Sequence, residues 1–458
     1  MIETIKKNLN SLTDETWKKR FFTIIAPIIS RQAVGGISSL LISMLLLRIF
    51  GKSDFGVWTF LLLLLSVPNI FFQPIFTGLL RFLPEQPKDT QIEYFIYVFQ
   101  VSAMLWLCTT TIGLLILYNF PDIISPAVID NQASINWILI LGILFSKCFI
   151  EFLNFSISSL CLALQNVLQH QTIMFIKRIV ELFSICLFFI IQGEGNNNFL
   201  NIAIILFAIE SLLLLYWMSW LTRKIERDHF KRLTYSFFQR PEVSEFFIPF
   251  LGVSLFSIAG KRAATFLLGY LQLFEMLALF TILDRVFNLA NKFIGSFLYT
   301  ISPYYSKINK NALLKSAIAV NLSLFFGISS LALLLLSPYW LKFWALEISQ
   351  DLSFVLLFFA INLCLMGIVQ AGGQRQLQQG TAKGLFRISI VRRTVFFVFL
   401  YLFHDNLLHF VMAETAGIIA AAIFYLFIQA PLRSSENINI ATTLCFLFGM
   451  VSLYTLAF

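Results

Sequence analysis

The sequence predicts an all-α polytopic membrane protein, and three observations carry that prediction. Of its 458 residues 58% are hydrophobic and only 12% charged, and the mean hydropathy is +0.82, far from the balance of a soluble domain. Apolar windows of about 20 residues, enough to cross about 30 Å of hydrocarbon at 1.5 Å per residue, recur along the whole chain between short polar gaps. Every second gap is basic, which is the charge pattern of alternating membrane crossings.

The windows place spans at 22–48, 55–80, 92–118, 135–163, 172–192, 199–222, 244–270, 274–302, 312–337, 351–372, 385–403 and 407–430. The basic connections carry Lys18, Lys19 and Arg20; Arg81 and Lys88; Lys177 and Arg178; Arg223, Lys224 and their neighbours to Arg240; Lys307 and Lys310; Arg375, Lys383 and Arg387; and Arg433. Connections such as 119–134 and 193–198 carry none. The positive-inside rule makes the basic set cytoplasmic, so the N-terminus is cytoplasmic. Residues 1–21, with scattered acids and amides and no cleavage site, are read as a retained cytoplasmic lead-in and not a signal peptide. The run Ile440 to Phe458 is either a thirteenth span or an interfacial helix, and its length favours a span.

The longest polar stretch divides the chain into a first six-helix bundle (22–222), a cytoplasmic linker (223–243), a second six-helix bundle (244–430) and a C-terminal tail with the extra apolar segment (431–458). Six is even, so both bundles start on the same side and form parallel repeats, with a substrate site expected between them near the bilayer midplane.

The chemistry of that site is suggested by charges where lipid should be. Lys261, Arg262, Asp284, Arg285 and Lys292 fall in two consecutive spans. Without solvation or partners they would cost on the order of 15 kcal/mol by insertion scales. They must therefore face water, one another or a ligand. Asp284, Asn288, Asn291 and Lys292 recur at helical steps of three and four, forming one polar stripe. Lys147 and Glu151 stand at i, i+4, close enough to pair, either as a structural bridge or as part of the same cavity wall. Arg31 adds a cation in the first span. The candidate set for anionic substrate binding is Arg31, Lys147, Lys261, Arg262, Arg285, Asn288 and Lys292. Deep cations outnumber deep anions in this set, and such a cavity suits an anion.

Glu210 and Glu414 stand as lone carboxylates in apolar spans. Each is either protonated and packed or, with Glu151 and Asp284, a candidate coupling-ion site. Lys177, Arg178, Arg392 and Arg393 lie near cytoplasmic span ends and are read as snorkelling residues.

Other classes fit less well. The six cysteines fall singly within apolar runs and no histidine stands at metal-ligand spacing, so no metal or other cofactor is expected. The net charge of +9 is dispersed over loops and does not gather into a nucleic-acid face. GKS at 51–53 lacks the first glycine of a phosphate-binding loop, because Leu46 stands there. Short exterior loops and peripheral histidines (His170, His229, His404 and His409) argue against a membrane glycan polymerase or glycosyltransferase. A basic pocket argues against an antiporter of organic cations.

The segment from Leu46 to Glu85, with Arg48, Gly51, Asp54, Phe55, Gly56 and Trp58 at the first loop and Gly78 and Arg81 closing the second span, resembles the opening of O-antigen flippases of Wzx type. These are bacterial polysaccharide exporters within the multidrug/oligosaccharidyl-lipid/polysaccharide exporter superfamily. The resemblance implies a multi-pass protein of the bacterial cytoplasmic membrane. It would move a polyprenyl diphosphate-linked oligosaccharide to the outer leaflet through a cationic cavity between two bundles, alongside other polysaccharide-assembly membrane proteins. The extra C-terminal apolar run departs from that family's pattern.

On this expectation the diphosphate would sit on the deep cations while the polyprenyl tail stays in lipid. Moving two negative charges out of a negative-inside cell gains about 4 to 5 kcal/mol per 100 mV, which supplies a direction.

Overall fold

Long apolar stretches without water must satisfy their backbone internally, and the helix does so within one segment. The computed structural model describes residues 26–83, 88–119, 137–164, 166–193, 199–223, 262–289, 312–343, 350–378, 382–403, 406–424 and 443–448, and these are almost wholly helical. We number them α1 (Ala26–Phe82), α2 (Lys88–Asn119), α3 (Trp137–Ala163), α4 (Val167–Gln192), α5 (Phe199–Thr222), α6 (262–270), α7 (274–289), α8 (Ala312–Leu335), α9 (Ser337–Phe343), α10 (Gln350–Gln378), α11 (Ala382–Leu402), α12 (Leu407–Phe424) and α13 (443–448). Among the described residues there is no strand. The chain is an all-α polytopic membrane protein.

The predicted first and second spans meet in one 57-residue helix, α1, broken at Gly51 with φ 77° and ψ 175°. That backbone state is open to glycine and strained for any side chain with a Cβ, so the chain redirects there without a loop. Immediately beyond the break, Phe55 and Trp58 are fully buried. Trp58 stacks on Phe199 at 5.8 Å, pinning the start of α5 against α1.

The helices pack in two groups. In the first half α1 lies against α2, α3 and α4, and α3 lies against α5; in the second, α8 packs on α10, and α10, α11 and α12 pack on one another. Helices α6 and α7 join the groups. Their Phe266 and Phe274 pack around Phe60 of α1, and Gly56 of α1 backs onto the Phe274 carbonyl. One core of buried Leu, Ile and Phe therefore runs from α1 through α7 into α10 and α12.

Outward faces remain apolar, as lipid contact requires: Ile190 is 77% exposed, Leu215 67% and Tyr401 84%. By length and composition, Val34–Ser66, Leu139–Leu162, Phe199–Thr222 and Leu407–Phe424 are each able to cross a membrane. Helices α4 and α11 reach similar lengths but carry internal charges, whose partners are given below. Of the C-terminal apolar run only α13 lies within the described residues. It packs on the second half, with Phe446 against Gly327 of α8 and the Thr443 carbonyl accepting from the Cys364 thiol at 3.9 Å.

Candidate functional site

Each half contains a buried node in which adjacent cations on one helix meet a glutamate on the next. In the first half, Lys177 and Arg178 lie midway along α4. Lys177 donates to Glu210 of α5 and lies 3.6 Å from Glu181, while Arg178 reaches Glu181 at 2.6 Å. Asn154 of α3 completes the node, its Nδ2 donating to the Glu210 carboxylate at 2.8 Å and to the Glu210 carbonyl at 2.9 Å. Nearby, Lys147 and Glu151 bond along α3 at 2.7 Å. Three cations thus face three carboxylates.

In the second half, Arg392 and Arg393 of α11 converge on Glu414 of α12: Arg393 bonds Oε2 at 2.8 Å and Arg392 bonds Oε1. Arg393 is 1% exposed, with its guanidinium 5.6 Å from the Phe396 ring centre. The helices can approach because residue 417 is glycine. A Cβ there would stand 2.6 Å from the Arg392 carbonyl oxygen, which is inside van der Waals contact. Beside this node lies a cavity of about 70 Å³. Its polar wall is Asp284, Asn288, Asn362, Arg392 and Glu414, and half of its apolar lining is phenylalanine. The Asn362 Oδ1 is buried with no hydrogen-bond partner.

Between the nodes, where α6 and α7 meet α1, Arg262 donates to Ser66 Oγ at 2.8 Å. Asp284 and Glu151 both act on its charge. Arg262 thus interacts with acids of both halves.

The structure brings together only part of the predicted site. Asp284, Asn288 and Glu414 line one cavity, and Arg262 and Arg285 lie on the helices that border the first half. Lys147 is tied to Glu151 as the spacing foretold. Lys261 and Lys292 lie outside the described residues, and of Arg31 only its place in α1 is described.

Two expectations need correction. Glu210 and Glu414 are not lone carboxylates, because each is ion-paired across to the preceding helix. Lys177, Arg392 and Arg393 do not snorkel: Lys177 is 10% exposed and Arg392 12%, and all three point into interhelical ion pairs. Arg178 is held by an inner carboxylate as well. Sequence reasoning passed over Ser66, Glu181 and Asn362. A signal was present for the nodes, since the fifth and eleventh spans each carry a dibasic pair and the spans that follow each carry one glutamate.

No protein-family model matches the chain, and no curated protein matches it in sequence. Solved structures do match. A MATE transporter of Vibrio cholerae, VcmN, aligns with TM-score 0.61 and 14% identity over 92% of this chain and 98% of its own. The lipid II flippase MurJ in an inward closed conformation aligns with TM-score 0.64 and 14% identity over 93% of this chain and 91% of its own. The MATE multidrug transporter DinF-BH, in a ligand complex, gives TM-score 0.59 and 15% identity over 89% of this chain and 94% of its own. The chain has the fold of the MOP-superfamily transporters.

Proposed function

We propose that this chain is a flippase of the bacterial cytoplasmic membrane, carrying a polyprenyl diphosphate-linked oligosaccharide such as a surface-polysaccharide repeat unit to the outer leaflet by alternating access. The observation that carries the reading is the set of cations held inside the helical body. Arg392 and Arg393 share one glutamate, and Arg262 and Arg285 stand with Asp284 where the halves meet. Two guanidiniums on one carboxylate leave positive charge over in the interior, where a further anion is favoured, and a diphosphate is the anionic group that a lipid-linked glycan presents. The likeness in fold to a lipid II flippase supports a cargo of this kind.

On this reading the two halves are parallel six-helix repeats that rock against each other, with a cytoplasmic N-terminus. The glycan occupies the wet space between them and the polyprenyl chain remains in lipid. The protein binds and reorients its cargo without breaking covalent bonds. Asp284 and Glu414, which line the cavity, are the carboxylates through which an ion gradient would couple, whereas Glu151 and Glu210 are taken up in ion pairs.

A second reading, export of an organic cation, is favoured by one observation. The cavity beside Glu414 combines two carboxylates with walls formed by Phe280, Phe287, Phe359, Phe396 and Phe410.

The deciding experiment reconstitutes the purified chain in liposomes and measures translocation of a lipid diphosphate-linked oligosaccharide against accumulation of ethidium, a fluorescent organic cation. Glycolipid flipping that falls at least about tenfold in Arg285→Ala and Lys261→Ala is the expected result. Equal rates in wild type and both variants would remove the phosphate role. Ethidium transport without glycolipid flipping would establish the second reading.

A further inference from the structure

Arg178 differs from the rest of its node. Its neighbour Lys177 is enclosed between two glutamates, whereas the Arg178 side chain remains 45% exposed while bonded to Glu181. Glu181 is 7% exposed and also serves Lys177, so one carboxylate is divided between two cations. Asp284 of α7 stands near enough to Arg262 and Arg285 for its charge to act on both.

Two glycines of α1 show how these cations come near each other. The Arg178 Cγ lies 3.9 Å from where a Cβ on Gly35 would stand. The Leu289 side chain lies against the next residue, Gly36, so closely that a Cβ there would overlap its Cδ1. Leu289 is four residues beyond Arg285 on α7, so the two share a helix face. The small Gly35–Gly36 surface therefore has α4 on one side and α7 on the other. Arg178 and Arg285 act on each other's charge across it. Two guanidiniums of like sign close enough to act on each other in a medium of low dielectric repel, and an anion between them turns repulsion into two charge-assisted contacts.

We propose that Arg178 and Arg285, one from each half, jointly bind a diphosphate over the Gly35–Gly36 surface of α1. This rests on the flippase reading and adds a residue from the first half to its phosphate site. The ligand must be long enough to touch both guanidiniums, and a diphosphate offers a phosphoryl group to each. Planar forks suit this task better than ammonium groups.

The test measures binding of labelled inorganic pyrophosphate to the full chain in nanodiscs. Orthophosphate and a polyprenyl diphosphate serve as separate arms, to distinguish a free anion from a lipid headgroup. Arg178→Gln and Arg285→Gln should each weaken pyrophosphate binding about tenfold or more. The double variant should be little worse than either, because a bridge is lost with its first pillar. Arg178→Lys should lose less than Arg178→Gln, and orthophosphate should bind more weakly than pyrophosphate in wild type.

Glu181→Gln keeps both guanidiniums and should bind pyrophosphate within about threefold of wild type. A loss as large as that of Arg178→Gln would mean the effect is structural and would overturn the proposal. Additive losses in the double variant, or equal binding of orthophosphate, would also overturn it. The two readings fail separately. Arg-dependent pyrophosphate binding without glycolipid flipping would leave the clamp and remove the cargo, while flipping that survives Arg178→Gln at the wild-type rate would leave the cargo and remove the clamp.

Discussion

The two glutamate nodes are built from the same parts and finished differently. Both set an adjacent pair of cations on one helix against a glutamate on the next, at the fifth and sixth spans in one half and the eleventh and twelfth in the other. In the first half the cations are matched by carboxylates, and Glu210 is 2% exposed and held by Asn154 as well. In the second, two guanidiniums share one glutamate that is 23% exposed and borders a cavity. The matched node is closed around Lys177 and Glu210, and the other retains positive charge beside a cavity. On this difference the Lys177–Glu210 pair clamps helices together, while Arg178 at the rim of the first node and the two arginines of the second keep charge within reach of a ligand.

That comparison is broken most directly at Glu210. Replacing it by Leu leaves Lys177 in the interior with Glu181 at 3.6 Å, a carboxylate already bonded to Arg178, and removing one partner of a buried pair costs about 3 to 5 kcal/mol. The expected result is a large fall in the melting temperature of the purified protein, accompanied by poor yield. Adding Lys177→Met should recover most of the loss, because a well-packed apolar pair is about as stable as a buried ion pair. If the double variant were as unstable as the single, the node would be more than a clamp.

Glu414→Leu should destabilise less, about 2 kcal/mol, because the bordering cavity can admit water to the Arg392 guanidinium that lines it. Its main effect should be on transport, measured in liposomes as a loss of at least about tenfold with most of the protein still folded. A melting loss larger than that of Glu210→Leu would reverse the assignment of clamp and ligand site.

The helices were legible in the sequence where apolar runs stop abruptly. The reading of 199–222 agrees with α5 at both ends, and 135–163 agrees with α3 to within two residues, because amides and charges bound these runs. The break near residue 51 was legible too, although the chain turns at a single left-handed glycine instead of looping. The Lys147 and Glu151 bond was readable because both residues lie on one helix. The pairs Lys177 with Glu210 and Arg392 with Glu414 were not, since they lie 33 and 22 positions apart and meet only through helix packing. Taken singly, a cation near a span end is explained by snorkelling, and only its partner on another helix shows that it points inward.

Gly417 tests the second node through its backbone. Gly417→Ala sets a methyl group 2.6 Å from the Arg392 carbonyl and should push α12 from α11, at a cost of about 1 to 3 kcal/mol. Transport should fall with it, since the same shift loosens both arginines from Glu414. A variant with wild-type melting and wild-type transport would show that the helix approach does not set the node.

The smallest effect is expected at Glu151. Its side chain is 40% exposed and its bond to Lys147 runs along one helix, so its loss should cost less than about 1 kcal/mol. Glu151→Gln keeps an acceptor for Lys147 and removes only the charge. If the first node is a clamp and nothing else, this variant should melt and transport nearly as wild type does. A transport defect at unchanged melting would place Glu151 on the coupling path. The matched node would then have a working carboxylate at its edge, where Glu151 also acts on Arg262, and the division between the nodes would have to be redrawn with Arg262 as their common member.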